Sequence, residues 1–79
     1  METGDVYIIT YPSEAKIYMD NELVIDIETK LSLRTPVILA IPQGYHSLIL
    51  KLEGYCNIYD AVYVFPGQIV YLYKNFNIC

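Results

Sequence analysis

Residues 35–55, TPVILAIPQGYHSLILKLEGY, decide how the chain reads. Val37, Leu39 and Ile41 alternate along the first half, and Leu48, Leu50 and Leu52 along the second. A period of two is the mark of a strand with one buried face, so the stretch reads as two β-strands. Pro42-Gln43-Gly44 lies between them as a tight turn. Pro ends the first strand, and Gly supplies the backbone freedom that a reversal needs.

The same pattern extends outward in both directions. Residues 5–11, DVYIITY, are β-branched and aromatic, and Pro12-Ser13-Glu14 ends them. Residues 15–20 follow as a second strand, with Ala15, Ile17 and Met19 on one face. Asp20-Asn21-Glu22 is a turn, because Asp and Asn bond their own backbone and tolerate a left-handed conformation. From 25 to 34, Ile25, Ile27, Leu31 and Leu33 alternate with charged and polar residues, which predicts an amphipathic extended segment. A helix there would gather Asp26, Lys30 and Leu33 on one face, a poor stripe. On the far side, Glu53-Gly54-Tyr55 is a turn and residues 58–65 a strand with Val62 and Val64 inward. Phe65-Pro66-Gly67-Gln68 is a β-turn, residues 68–74 a last strand with Val70 and Leu72 inward, and 75–79 a short tail. Strands recur about every ten residues with turn chemistry at each break and no helical period. The expected fold is all-β, a small antiparallel sandwich of about six to eight strands. It is expected to be a single domain over 1–79 with an extended insertion at 21–34.

Composition narrows the function. Of 79 residues, 54% are hydrophobic and 18% charged, nine are Tyr, and the net charge is −4. A chain this short buries only about 60% of its unfolded surface, so so much apolar surface points to a second, covered face. The acidic balance argues against nucleic acid, whose phosphates require basic clusters, and weakly against anionic membranes. There is no run of about 20 apolar residues to span a bilayer. METGDVYIIT lacks the basic stretch and apolar core of a signal peptide, which leaves the compartment open. Cys56 and Cys79 allow one disulfide but make no framework, and leave their pairing undecided. With one His they match no common zinc pattern.

At this point the residues resemble the PEGA domain, a small Ig-like β-sandwich module named for a Pro-Glu-Gly-Ala motif. Here that motif reads Pro12-Ser13-Glu14-Ala15. Thr35-Pro36, Gly44-Tyr45-His46, Gly54-Tyr55, and Val62-Tyr63-Val64 followed by Gly67 match the family's later pieces in order and spacing. Glu14 stands where the family has Gly, so a different backbone is expected at that turn. Asn21 stands where Gly is common, a mild change. Segment 21–34 is longer than the family's usual connection and lacks the Gly before Thr-Pro. The resemblance implies an accessory module at a cell surface or envelope, structural or binding in role, with no catalytic residues and no cofactor.

Few residues suggest chemistry. Asp20, Glu22, Asp26 and Glu28 offer the oxygen ligands calcium takes, but their spacing also fits a solvated strand face, and no metal is expected. His46 has Ser47 beside it, on the opposite face of a strand, so it reads as a turn residue rather than a general base. Tyr55 reads as a plug over the sheet end. An enzyme is not expected. The outward alternation is more telling: Tyr7, Ile9, Tyr11, Tyr18, Ile38, Ile49, Tyr63, Ile69, Tyr71 and Tyr73 stand where a solvated sheet face carries Thr, Ser, Lys and Glu. Cross-strand aromatic pairs account for part of this, but aliphatic chains among tyrosines are typical of protein interfaces. The expected role is protein contact, with another copy or a larger host assembly, through this apolar face or a strand edge. The alternative is a carbohydrate- or other ligand-binding module, with sugar rings on Tyr7, Tyr18 or Tyr71.

Overall fold

A computed structural model describes residues 2–79. Seven strands follow in order: β1 (Thr3–Tyr11), β2 (Lys16–Met19), β3 (Glu22–Leu23), β4 (Val37–Pro42), β5 (Gly44–Lys51), β6 (Ile58–Val64) and β7 (Ile69–Asn75). They make two sheets, ordered β4-β1-β7 and β3-β2-β5-β6. The all-β sandwich is therefore the one the alternation predicts. One pair departs from the antiparallel expectation: β1 and β7 run parallel, with Tyr7 beside Tyr71, so the three-stranded sheet is mixed.

Between the sheets lies one apolar cluster, and outside segment 25–34 every residue that the alternation points inward, from Val6 to Leu72, belongs to it or packs against it. Val6, Ile8, Ile17, Leu48, Leu50 and Val64 are fully buried. Each such side chain contributes about 1.5–3 kcal/mol over its exposed form. The cluster also takes in Phe76, and Val24, Leu33, Tyr55 and Ile58 pack against it.

The two strands of the opening stretch are not a hairpin. β4 pairs with β1, while β5 pairs with β2 and β6. Only Gln43 separates β4 from β5, and across it the chain passes from one sheet to the other. Gly44, at φ +120°, holds a backbone that side-chain-bearing residues rarely adopt. Pro42 ends β4 as a member of it, on an edge strand where a missing N–H is tolerated. Alternation tells that each strand has a buried face; two strands facing each other across a core satisfy it as well as two strands side by side.

The segment from 25 to 34 is also not a continuous strand. The Asp26 carboxylate accepts the N–H of Glu28 at 2.8 Å and of Thr29 at 3.4 Å. Asp26 N–H donates to the Leu31 carbonyl, and Lys30 N–H to the Asp26 carbonyl, closing a tight turn under an Ile25–Ser32 bridge. A side chain that satisfies its own turn outcompetes the alternation. Ile25, Ile27 and Leu31 are consequently exposed, and Val24 and Leu33 face the core.

Both ends of the sandwich are tied. Asp20 and Asn21, both at positive φ, form the two-residue turn joining β2 to β3. The tail is anchored: Phe76 N–H donates to Tyr11, Cys56 N–H to Asn77, and a disulfide joins Cys56 to Cys79 with Cα atoms 4.9 Å apart. The pairing that the sequence leaves undecided is thus made. The Tyr55 ring sits 5.9 Å from that of Phe76 and plugs this end. At the other end β1 begins against the turn after β6, where a Cβ on Gly4 would run into the Phe65 carbonyl.

Candidate functional site

The ten outward residues do not form one surface, because a sandwich has two outer faces. Seven lie on the three-stranded sheet. Its register sets Ile38, Tyr7 and Tyr71 in one row and Ile9 beside Tyr73, with Ile69 and Tyr11 at either end. Tyr71 and Tyr73 are 67% and 72% exposed, Tyr11, Ile38 and Ile69 are exposed, and Tyr7 and Ile9 are half-buried. Among the described residues Asp5 is the one charged side chain on the strands of this face, alongside Thr3, Ala40, Pro42 and Asn75. Tyr7 and Tyr71 stack at 5.9 Å between ring centroids.

Tyr18, Ile49 and Tyr63 lie on the opposite, four-stranded sheet. Leu23, Tyr18, Ile49 and Tyr59 make one row across it. Tyr63 belongs to a separate aromatic group with Tyr45 at 5.8 Å and Phe65 at 4.8 Å. Tyr45, Tyr59 and Phe65 are exposed aromatics that the ten omit; strand parity alone would have found Tyr45 and Tyr59. Beside the Tyr18 row runs another that is cationic, Arg34, Lys16 and Lys51. Lys51 Nζ sits 4.7 Å above the Tyr18 ring, and Tyr18 lies on the sheet opposite Tyr7 and Tyr71.

The other chemistry-bearing residues are used internally. His46 lies on the inward side of β5, opposite Val62. Its Nδ1 is 2.6 Å from the Asp20 carboxylate and its Nε2 2.7 Å from the Pro42 carbonyl. A carboxylate and a carbonyl both accept, so the two contacts suit the protonated ring, in which both nitrogens donate. The bond to Asp20 raises the His46 pKa against the effect of burial, and the Pro42 carbonyl adds to it. The same bond, with the Ser47 N–H, holds the Asp20 carboxyl below its ordinary value. His46 therefore clasps the turn after β2 to the end of β4. Lys74 pairs with Asp60 between β7 and β6, the edges of the two sheets, and lowers the Asp60 pKa. The four carboxylates weighed for calcium are not gathered among the described residues: Asp20 bonds to His46 and Ser47, Asp26 bonds within its own turn, and Glu22 and Glu28 are exposed.

At the far end, Thr35 is 1% exposed and sits in a chain of hydroxyls. The Ala15 N–H donates to Thr35 Oγ1 at 3.0 Å, and Thr10 Oγ1 donates to the Pro12 carbonyl at 2.8 Å. The 2.6 Å bond between the two hydroxyls therefore runs from Thr35 to Thr10. Backbone bonds from Glu14 to Thr35 and from Thr35 to Ala15 complete the knot. It ties Pro12 and Ala15 to Thr35.

A family model described as the PEGA domain matches residues 3–78. The chain belongs to the PEGA-domain family. No curated protein matches it. The PEGA motifs are thereby explained as architecture. The Thr-Pro piece and the Pro-x-x-Ala piece meet in the Thr35 knot, the Gly-x-His piece supplies the clasp, and Gly-Tyr supplies the plug. Glu14, at the motif's Gly position, holds φ +73°, a backbone of the kind glycine takes freely, instead of a side-chain-friendly turn. The PEGA family is one of non-catalytic modules.

Proposed function

We propose that this PEGA domain is a non-enzymatic contact module of a surface-associated assembly, and that the outer face of its three-stranded sheet is the contact surface. The observation that carries this reading is the composition of that face. Across three strands it exposes Tyr and Ile with Asp5 as its one charge. A contiguous apolar patch with polar phenol tips is what packs well against protein and poorly against water. The partner is another copy or a larger host protein. Both edges of this sheet, β4 and β7, have backbone groups free to add a strand from it.

The test is mass in solution across a concentration series, by sedimentation. Self-association is expected for the native chain. Tyr71→Lys or Ile38→Lys should abolish it, and Tyr59→Lys, on the opposite sheet, should leave it intact. A native chain that stays monomeric at the highest concentration would remove self-association and leave a host protein as the partner, and association that survives both charge substitutions would remove this face from consideration.

A further inference from the structure

A cationic row lies on the outer face of the four-stranded sheet, beside the Tyr18 row. Lys16 stands directly opposite Lys51 on one side and bridges Arg34 on the other, so three positive side chains lie abreast on one face. Like charges directly opposite across strands are destabilising. The chain has five Lys and Arg against nine Asp and Glu, and three of those five are in this row. None of the three is ion-paired among the described residues; the ion pairs are His46–Asp20 and Lys74–Asp60. Their heads are nevertheless held. Arg34 Nη1 donates to the Glu14 carbonyl at 3.3 Å, and the Lys51 ammonium rests on the Tyr18 ring. These contacts place positive charge without neutralising it.

The row lines a cleft of about 400 Å³, completed by Tyr18, Leu52, Glu14 and Glu53. That volume falls in the range of small-ligand sites. The mixture of charges narrows the ligand. Three cations call for an anion, while the two glutamates of the lining disfavour any ligand that is anionic all over. They instead accept hydrogen bonds from hydroxyl donors. A nucleic-acid strand or a sulfated polymer meets the first demand and not the second. A neutral sugar does the reverse.

The geometry points to a ligand of the uronic-acid class, a sugar ring bearing one carboxylate and several hydroxyls. Its carboxylate sits among Lys16, Arg34 and Lys51, with Arg34 offering a two-pronged donor. Its hydroxyls donate to Glu14 and Glu53. The site lies on the sheet opposite the proposed contact face, so the two readings stand or fall separately.

Amide-resolved NMR titration of the full chain tests this, with D-glucuronate as the probe and D-glucose, acetate and sulfate as comparisons. Glucuronate should give saturable shifts centred on Lys16, Tyr18, Arg34 and Lys51, and bind at least about tenfold more tightly than the other three. Lys16→Gln and Lys51→Gln should each weaken it about tenfold, while Lys30→Gln, outside the row, leaves it unchanged. Glu53→Gln should weaken glucuronate and not acetate. The proposal is overturned if glucuronate gives no saturable shift, if sulfate or acetate binds equally well, or if Lys30→Gln weakens binding as much as the row variants. Indifference to Lys16→Gln and Lys51→Gln overturns it too.

Discussion

The two ends of this sandwich do the same job with opposite chemistry. At one end Thr35 ties β1, β2 and the start of β4 together with neutral, buried hydroxyls. At the other, His46 ties the turn after β2 to the end of β4 with a charged pair, in which the Asp20 side chain is 53% exposed. Each makes a few short bonds between segments far apart in sequence. They differ in what replaces those bonds when they break. Water is at hand for Asp20 and absent for the Ala15 N–H. The Thr35 end should therefore be costly to break and indifferent to pH, and the His46 end cheap to break and sensitive to it.

The largest effect expected belongs to the Thr35 end, where the Cys56–Cys79 bridge fastens the tail beneath Tyr55. A bridge of this span stabilises by about 3 kcal/mol, mainly by restricting the unfolded chain. Cys56→Ser with Cys79→Ser should shift the urea midpoint accordingly, without changing the shape of its pH dependence. An unchanged midpoint would show that the bridge adds nothing to the tail's own contacts.

Thr35→Val comes next, and it is the sharper comparison. The substitution keeps the side chain's shape, removes the acceptor of the Ala15 N–H, and leaves Thr10 bonded to Pro12. An unsatisfied buried donor costs about 2 kcal/mol. The loss should be the same at acidic and neutral pH, because no member of the network titrates there. A loss as small as that of a surface substitution would mean the knot is not what closes this end.

Glu14→Gly should act in the other direction. Glu14 holds φ +73° beside the knot, and its backbone bonds to Thr35 and Arg34 need no side chain. Relief of a left-handed non-glycine residue, less the entropy glycine adds to the unfolded chain, should raise stability by about 0.5–1 kcal/mol. A decrease would show that the Glu14 side chain contributes more than its backbone strain costs.

These residues also mark how far the sequence could be read. Parity is local, so alternation alone brought Val6, Ile17, Leu39, Leu50, Val62 and Leu72 into one core. It cannot say which sheet a strand joins, since that depends on pairings distant in sequence. Hence parity sets Tyr18, Ile49 and Tyr63 with Tyr7 and Tyr71, from which the whole core separates them, and makes β4 and β5 the two arms of one turn. Segment 25–34 misled for a different reason: Asp26 spends its side chain on a turn, and a coincidental alternation of Ile25, Ile27 and Leu31 does not reveal that. Phe76 follows the last strand, where no period exists to point it inward. Lys16 and Lys51 were legible as outward, but Arg34 joins them only through register.

The smallest effect expected is at His46, and pH is what makes it measurable. The folded His46 pKa is raised, chiefly by Asp20, above its ordinary 6.5. Its contribution is therefore fully present below about pH 6.5 and is lost as pH rises through the raised value. Asp20 works from the other side: its folded pKa is lowered from 3.8, so its contribution is present above that value and is lost as pH falls through the lowered one. Together they predict a plateau of stability in mildly acidic solution, sloping down toward alkaline pH. His46→Gln should remove the alkaline slope, leave the Thr35→Val loss unchanged, and cost under about 1 kcal/mol on the plateau, as befits an exposed pair. The two substitutions lie at opposite ends of β4 with no shared partner, so their effects should add. An alkaline slope that persists in His46→Gln would mean that a group other than His46 produces it.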